Sequence, residues 1–144
     1  MDKVRQLTVT PLFWLQAAFF ISLSAALGSI ILSNVLDFLP CELCWWQRAF
    51  MYPLPFIFGA ALAQKKTDVF WYGMPLVIVG AAVALYHYVL QMSPQVSSVC
   101  SASLVSCTEK QIELLGFMTI PFGSLLAFGV VGVCLLMLKR TIQG

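Results

Sequence analysis

Charge is what this chain has least of. Asp, Glu, Lys and Arg make up 10% of its 144 residues against 60% for hydrophobic side chains, where a soluble domain carries about 25% charged residues. That deficit excludes a soluble globule, which needs polar groups to cover its surface, and the chain reads as an integral membrane protein. Histidine is nearly absent too, with a single residue. There is no repeat of fixed period, no low-complexity tract and no polar stretch long enough for a separate soluble domain. The net charge of +2 points to no nucleic-acid surface, because the basic residues fall at the ends of apolar runs.

Those runs set the fold class. Crossing about 30 Å of hydrocarbon takes roughly 20 apolar residues, and four such runs stand near 11–33, 43–63, 69–91 and 119–138. We therefore expect an all-α membrane protein, a four-transmembrane-helix bundle forming one integral domain over 1–144. The second run keeps its length despite Pro53 and Pro55. The first resembles a secretory signal, with Lys3 and Arg5 ahead of it and the small residues Ser24-Ala25-Ala26 within it. An apolar run reaching about Leu32 is too long for a signal core of 7–15 residues and suits a retained anchor.

Orientation follows from the basic residues. Lys3 and Arg5, Lys65 and Lys66, and Lys139 and Arg140 supply six of the eight Lys and Arg, in three segments that must share one side. By the positive-inside rule that side is the cytoplasm. The termini are then cytoplasmic, and the two loops bearing Cys41/Cys44 and Cys100/Cys107 are extracytoplasmic, where disulfides persist.

Cys41 and Cys44 form a Cys-x-x-Cys pair at the start of the second run, behind Pro40. Proline suits a helix's first turn, so the pair should lie in the opening turn. Backbone dipoles and free N–H groups stabilise a thiolate there, and Arg48, four residues beyond Cys44, adds positive charge on the same face. Cys44 is the better placed nucleophile. Arg48 is costly one turn inside an apolar region, so it should find a partner or snorkel to the interface; simple anchoring of the helix end is the plainer alternative. Cys-x-x-Cys also occurs as half of a zinc site. The six residues between Cys100 and Cys107 fit a zinc cluster poorly, and no metal site is expected. Two static disulfides are the stronger competing account.

His87, between Tyr86 and Tyr88 near the outer end of the third run, falls at about the depth of Arg48. The two are candidates to line one pocket, where an imidazole can hydrogen-bond or protonate a carbonyl. The aromatics nearby, Trp45, Trp46, Phe50 and Tyr52, also suit a plain interfacial belt. Pro53 and Pro55 should loosen the second span just below Arg48 and leave freed carbonyls or a cleft for a flat ring. Gly80 in the third run and Gly123, Gly129 and Gly132 in the fourth allow close helix approach. Thr108 is placed to cap a short interfacial helix over 108–117. Cys134, far from the other sulfurs, reads as an inert core residue.

Pro40-Cys41-Glu42-Leu43-Cys44-Trp45-Trp46-Gln47-Arg48, with Met51-Tyr52-Pro53, Tyr86-His87-Tyr88, the Cys100/Cys107 pair and Gly116-Phe117-Met118-Thr119-Ile120-Pro121, resembles the DsbB-type disulfide-bond oxidoreductases, especially their short BdbC-like branch in Gram-positive bacteria. The likeness covers almost the whole chain. It implies a bacterial plasma-membrane enzyme that reoxidises a DsbA- or BdbD-like thioredoxin-fold thiol oxidase and passes electrons to ubiquinone or menaquinone. It implies Cys41, Cys44, Cys100 and Cys107 as the catalytic residues and Gln47, Arg48 and His87 as quinone-binding candidates. By the same resemblance a partner thiolate attacks Cys100, Cys107 leaves and attacks Cys41, and Cys44 is freed toward the quinone. Long DsbB proteins separate the second pair much more widely, so the six-residue gap here is a departure.

Two alternatives stand beside this one. A vitamin K epoxide reductase-like enzyme would carry its Cys-x-x-Cys late in the bundle, whereas here it opens the second span. A four-span structural protein or small transporter with two static disulfides would, if a transporter, place polar groups mid-membrane, and the runs show almost none away from Arg48 and His87.

Overall fold

A computed structural model describes residues 2–35, 40–92 and 119–143, with side chains from Pro11 onward. Cys100, Cys107 and the helix expected over 108–117 lie outside the described residues. Five helices make up the structure: α1 (Asp2–Asn34), α2 (Glu42–Met51), α3 (Pro53–Gln64), α4 (Phe70–Met92) and α5 (Ile120–Gln143). No strand occurs among the described residues.

Three helices are long and apolar enough to cross a membrane: Pro11–Asn34 within α1, all of α4 and all of α5. They coincide with three of the four expected runs. The run at 43–63 is divided instead into α2 and α3, which meet at Tyr52. Pro53 and Pro55 cause the division. Neither has a backbone N–H, so the carbonyls of Ala49 and Met51 lose their usual helical donors. Tyr52 itself keeps helical angles (φ −63°, ψ −36°) and donates to the Arg48 carbonyl at 2.9 Å, so the chain bends through the joint without leaving helical geometry.

The packing closes a ring. α5 lies between α1 and α4, α2 packs chiefly on α4, and α3 packs chiefly on α1. Leu15 and Ala18 of α1, Leu54 and Phe58 of α3, Val77 and Ala84 of α4, and Phe128, Val131, Leu135 and Leu138 of α5 fill the interior. The outer surface is as apolar as the core. Phe56 is 78% exposed, and Phe13, Phe20, Trp71 and Val133 also point outward. Helices that are apolar all round suit a lipid surround.

Two ends of the ring differ in chemistry. At one end α3 closes on Lys65, in the left-handed conformation (φ 53°), and Lys66 follows. There too Lys139 of α5 sits over the rings of Phe70 (4.4 Å) and Trp71 (5.0 Å) of α4, which shows α4 and α5 running antiparallel. Cys41, Cys44 and His87 occupy the other end, some 17 residues along α4 from Phe70, or about 25 Å.

Gly80 marks the tightest contact between α4 and α5. A Cβ there would collide with the ring of Phe128, which is fully buried, whereas a Cβ at Gly129 would meet nothing within 4 Å. We expect Gly80→Val to lower the thermal stability of the detergent-solubilised protein by about 1–3 kcal/mol through overpacking. Gly129→Ala should leave it unchanged or slightly raised, and thermal unfolding of the two variants side by side checks both.

Candidate functional site

The site is built on the first two turns of α2. Cys41 is the N-cap residue, with extended angles (φ −70°, ψ 171°), and its carbonyl accepts the first helical hydrogen bond, from Trp45 N–H at 3.2 Å. Helical geometry starts at Glu42, whose carboxylate suits the positive end of the helix. Pro40 therefore stands one residue before the cap and not in the first turn. Both cysteines still flank the dipole end of α2, Cys41 buried and Cys44 partly exposed.

The two sulfurs lie 3.2 Å apart as free thiols. Behind them stands His87 of α4, 1% exposed, with Nε2 at 3.7 Å from Cys41 Sγ and Nδ1 at 2.9 Å from the side-chain nitrogen of Gln47. An amide nitrogen only donates, so Nδ1 accepts and the neutral ring carries its proton on Nε2, facing the Cys41 sulfur. The Cys44 thiol, donating to an ionised Cys41, does most to hold the Cys41 thiol down at about 4. Burial opposes this, and the His87 ring and the Cys44 backbone N–H add to the lowering. In the dithiol state the negative charge therefore rests on Cys41, while Cys44 carries the remaining proton.

Arg48 is tied to α1. One guanidinium nitrogen donates to the Ser33 hydroxyl and, at 3.2 Å, to the Ser29 carbonyl, while Ser33 Oγ also donates to Ser29 O at 3.3 Å. The guanidinium carbon lies 5.4 Å from the centroid of Trp45. This is the partner that a charge at that depth needs. Ser29 and Ser33 are functional neighbours that the sequence reading passed over; their four-residue spacing at the outer end of an apolar helix is the signal that marks them.

Cys44, Gln47, Arg48 and Met51 fall on one stripe of α2 and line a cavity of about 270 Å³, closed by Ser29 and Ser33 of α1, Tyr52, and Ser124 and Phe128 of α5. His87 is not among the residues lining it; its ring meets the cavity wall only through Gln47. Arg48 thus turns to Ser29 and Ser33 of α1 while His87 meets α2 from α4, and Gln47, which lines the cavity and bonds His87, stands between the two. Cys134 sits in the core on α5, away from this site.

Residues 11–138 match the family model described as "Disulfide bond formation protein DsbB". The chain belongs to the DsbB family. It is 41% identical to the disulfide bond formation protein C of Bacillus subtilis (strain 168) over 127 residues, 88% of this chain and 92% of the relative. It is 37% identical to a probable disulfide formation protein of Oceanobacillus iheyensis over 90% of this chain and 87% of the relative. A prophage-derived disulfide bond formation protein B of B. subtilis is 36% identical over 78% of this chain and 76% of its own length. No solved structure gives a significant match. With three apolar helices of spanning length, this DsbB-family chain is a multi-pass membrane protein of disulfide bond formation.

The Cys44 contact, with His87 behind it, has a direct consequence. Because the Cys41 pKa is depressed, its thiolate is present above about pH 4 and lost only as pH falls through that value. Because Cys41 is buried, the readout is spectroscopic: the ultraviolet thiolate absorbance of the reduced Cys100→Ser/Cys107→Ser protein, lost in Cys41→Ser, should persist into the acid range. His87→Leu should move the midpoint of that pH profile upward.

Proposed function

We propose that this chain is a protein-disulfide:quinone oxidoreductase that reoxidises a DsbA/BdbD-like thiol oxidase and so supports disulfide formation in exported proteins. The observation that carries this reading is the placement of Cys44 on the wall of a largely apolar cavity together with Arg48 and Gln47. A volume of about 270 Å³ falls just under the usual range of small-molecule pockets, roughly 300–1,000 Å³, enough for a ring head group without its isoprenoid tail. When bound, a quinone supplies an acceptor for two electrons and two protons. Arg48, held by Ser29 and Ser33, presents positive charge and hydrogen-bond donors to a carbonyl oxygen. The Gln47 amide presents a polar edge beside it.

Within the pair, Cys41 is the nucleophile that closes the disulfide onto Cys44. As the S–S bond forms, two electrons leave through Cys44 toward the cavity, with the proton that Cys44 held. The Cys44 thiol, and after it His87, keep Cys41 ionised for this step. The disulfide is reduced again when the Cys107 thiolate attacks Cys41, forming a Cys41–Cys107 bond and freeing Cys44; Cys100 then attacks Cys107, which frees Cys41 and restores the Cys100–Cys107 bond, and a partner thiolate attacking Cys100 renews the cycle. The partner leaves oxidised. A strong oxidant partner stands near −120 mV, so removal of the final acceptor should stall the relay with the partner still reduced.

In this reading α2 and α3 together form the fourth span, 23 residues with Tyr52 or about 34 Å, which the closed ring of helix packing supports. The cysteine end faces outward and the end with Lys65, Lys66, Lys139 and Arg140 faces the cytoplasm, as the positive-inside rule requires.

The test is anaerobic reduction of a soluble quinone by the purified protein supplied with a reduced DsbA-like partner. Cys44→Ser and Cys100→Ser should each abolish quinone loss. If a partner and quinone verified with a known oxidoreductase give no turnover, two static disulfides become the better account. Ser33→Ala, which removes one of the two acceptors holding Arg48, should raise the KM for quinone by about tenfold, the worth of one hydrogen bond to a charged group, with a smaller change in kcat.

A further inference from the structure

Three groups at the cysteine end meet the requirements of a soft-metal site. Cys41 Sγ, Cys44 Sγ and a ring nitrogen of His87 all lie within 4.8 Å of one another. Tetrahedral zinc with Zn–S near 2.3 Å and Zn–N near 2.0–2.1 Å sets its ligands about 3.8 Å apart for two sulfurs and about 3.5 Å apart for sulfur and nitrogen. The structure has the two sulfurs at 3.2 Å and Cys41 Sγ at 3.7 Å from the imidazole, with Cys44 Sγ within 4.8 Å of the ring nitrogen, so the first two pairs adjust by about half an ångström and the third closes by up to about 1.3 Å. The two sulfurs come from one helix turn and the imidazole from another helix, a distance of 46 residues along the chain. That third ligand is what a Cys-x-x-Cys pair by itself lacks.

The surroundings fit as well. A metal-bound imidazole needs its other nitrogen oriented by an acceptor. Gln47, 5% exposed and 2.9 Å from Nδ1, supplies one if its amide turns by half a rotation, so that Oε1 accepts from Nδ1–H and Nε2 presents a lone pair. Cys44 opens onto the cavity, which provides both an entry path and room for a fourth, exchangeable ligand. Two thiolates neutralise a divalent ion, so the filled site carries no net charge into the dry interior.

We propose that Cys41, Cys44 and His87 in the dithiol state bind a thiophilic divalent cation of the zinc class, and that the bound ion locks the pair against disulfide formation. Binding releases the proton that Cys44 still holds and leaves both sulfurs reduced, so no oxidant or reductant enters the step. The oxidised pair offers no thiolates and binds nothing. The site is thus open to metal only between reduction and reoxidation. The proposal needs free thiols at these positions and does not rest on a quinone or a partner protein, so it stands or falls apart from the proposed relay.

The test uses reduced, detergent-solubilised full-length protein carrying Cys100→Ser and Cys107→Ser, titrated with Co²⁺ under anaerobic conditions. We expect thiolate-to-cobalt charge-transfer bands and tetrahedral d–d bands saturating at one ion per chain and displaced by Zn²⁺. Cys41→Ser or prior oxidation of the pair should abolish them. Gln47→Leu should weaken binding by about 10–100-fold, as loss of an orienting partner does, and His87→Gln by at least that much. X-ray absorption at the zinc edge, which needs no further variant, should show two sulfurs and an imidazole nitrogen. Zn²⁺ should also slow closure of the pair by a small-molecule thiol oxidant. Absence of thiolate–cobalt bands, bands that survive Cys41→Ser, a zinc shell without imidazole, or unchanged oxidation with Zn²⁺ present would each overturn the proposal.

Discussion

One hydrogen bond between helices sets the geometry of the cysteine site: that between Gln47 of α2 and His87 of α4, at 2.9 Å. Both side chains are almost fully buried, where an unpaired polar group is expensive and a satisfied pair is correspondingly rigid. The bond fixes which imidazole nitrogen faces Cys41, and so adds to what the Cys44 thiol does in holding the negative charge on Cys41. It also holds α2 against α4 at the depth of the cysteines. Arg48, one residue on, is thereby turned toward α1, where Ser29 and Ser33 receive it.

The prolines act on the same element from the other side. With Pro53 and Pro55 withholding their donors, α2 ends at Met51 and α3 begins at Pro53. α2 then packs chiefly on α4 while α3 packs chiefly on α1. Met51 and Tyr52, at the joint, line the cavity beside Cys44. The break in the helix and the space beneath the cysteines are two aspects of one packing arrangement.

Much of the architecture was legible in the chain itself. The apolar runs at 11–33, 69–91 and 119–138 became α1, α4 and α5, because in a lipid surround a long apolar segment has no other way to satisfy its backbone. The loosening at Pro53 and Pro55 followed from the missing N–H groups. Pro40 was misplaced by one position, since the helix starts after the cap and Cys41, extended at ψ 171°, takes that role. Arg48 needed a partner, which sequence reasoning stated; the four-residue spacing of Ser29 and Ser33 marks them as candidates, but that they face Arg48 depends on how α5 packs against α1. Cys100 and Cys107 lie outside the described residues, and their place beside Cys41 stays with the proposed relay.

The sequence alone determined the class, the helical runs, the redox pair at a helix start and the family, because these rest on composition, local backbone chemistry and motif, all of which travel with the chain. Tertiary structure decided the rest. Arg48 and His87 read as two walls of one pocket from their depth, yet depth says nothing of azimuth, and in the structure Arg48 lines the cavity while His87 is not among its lining residues. Arg48 faces a cavity and His87 faces a sulfur, and only the packing of α2 against α1 and α4 together could distribute them so.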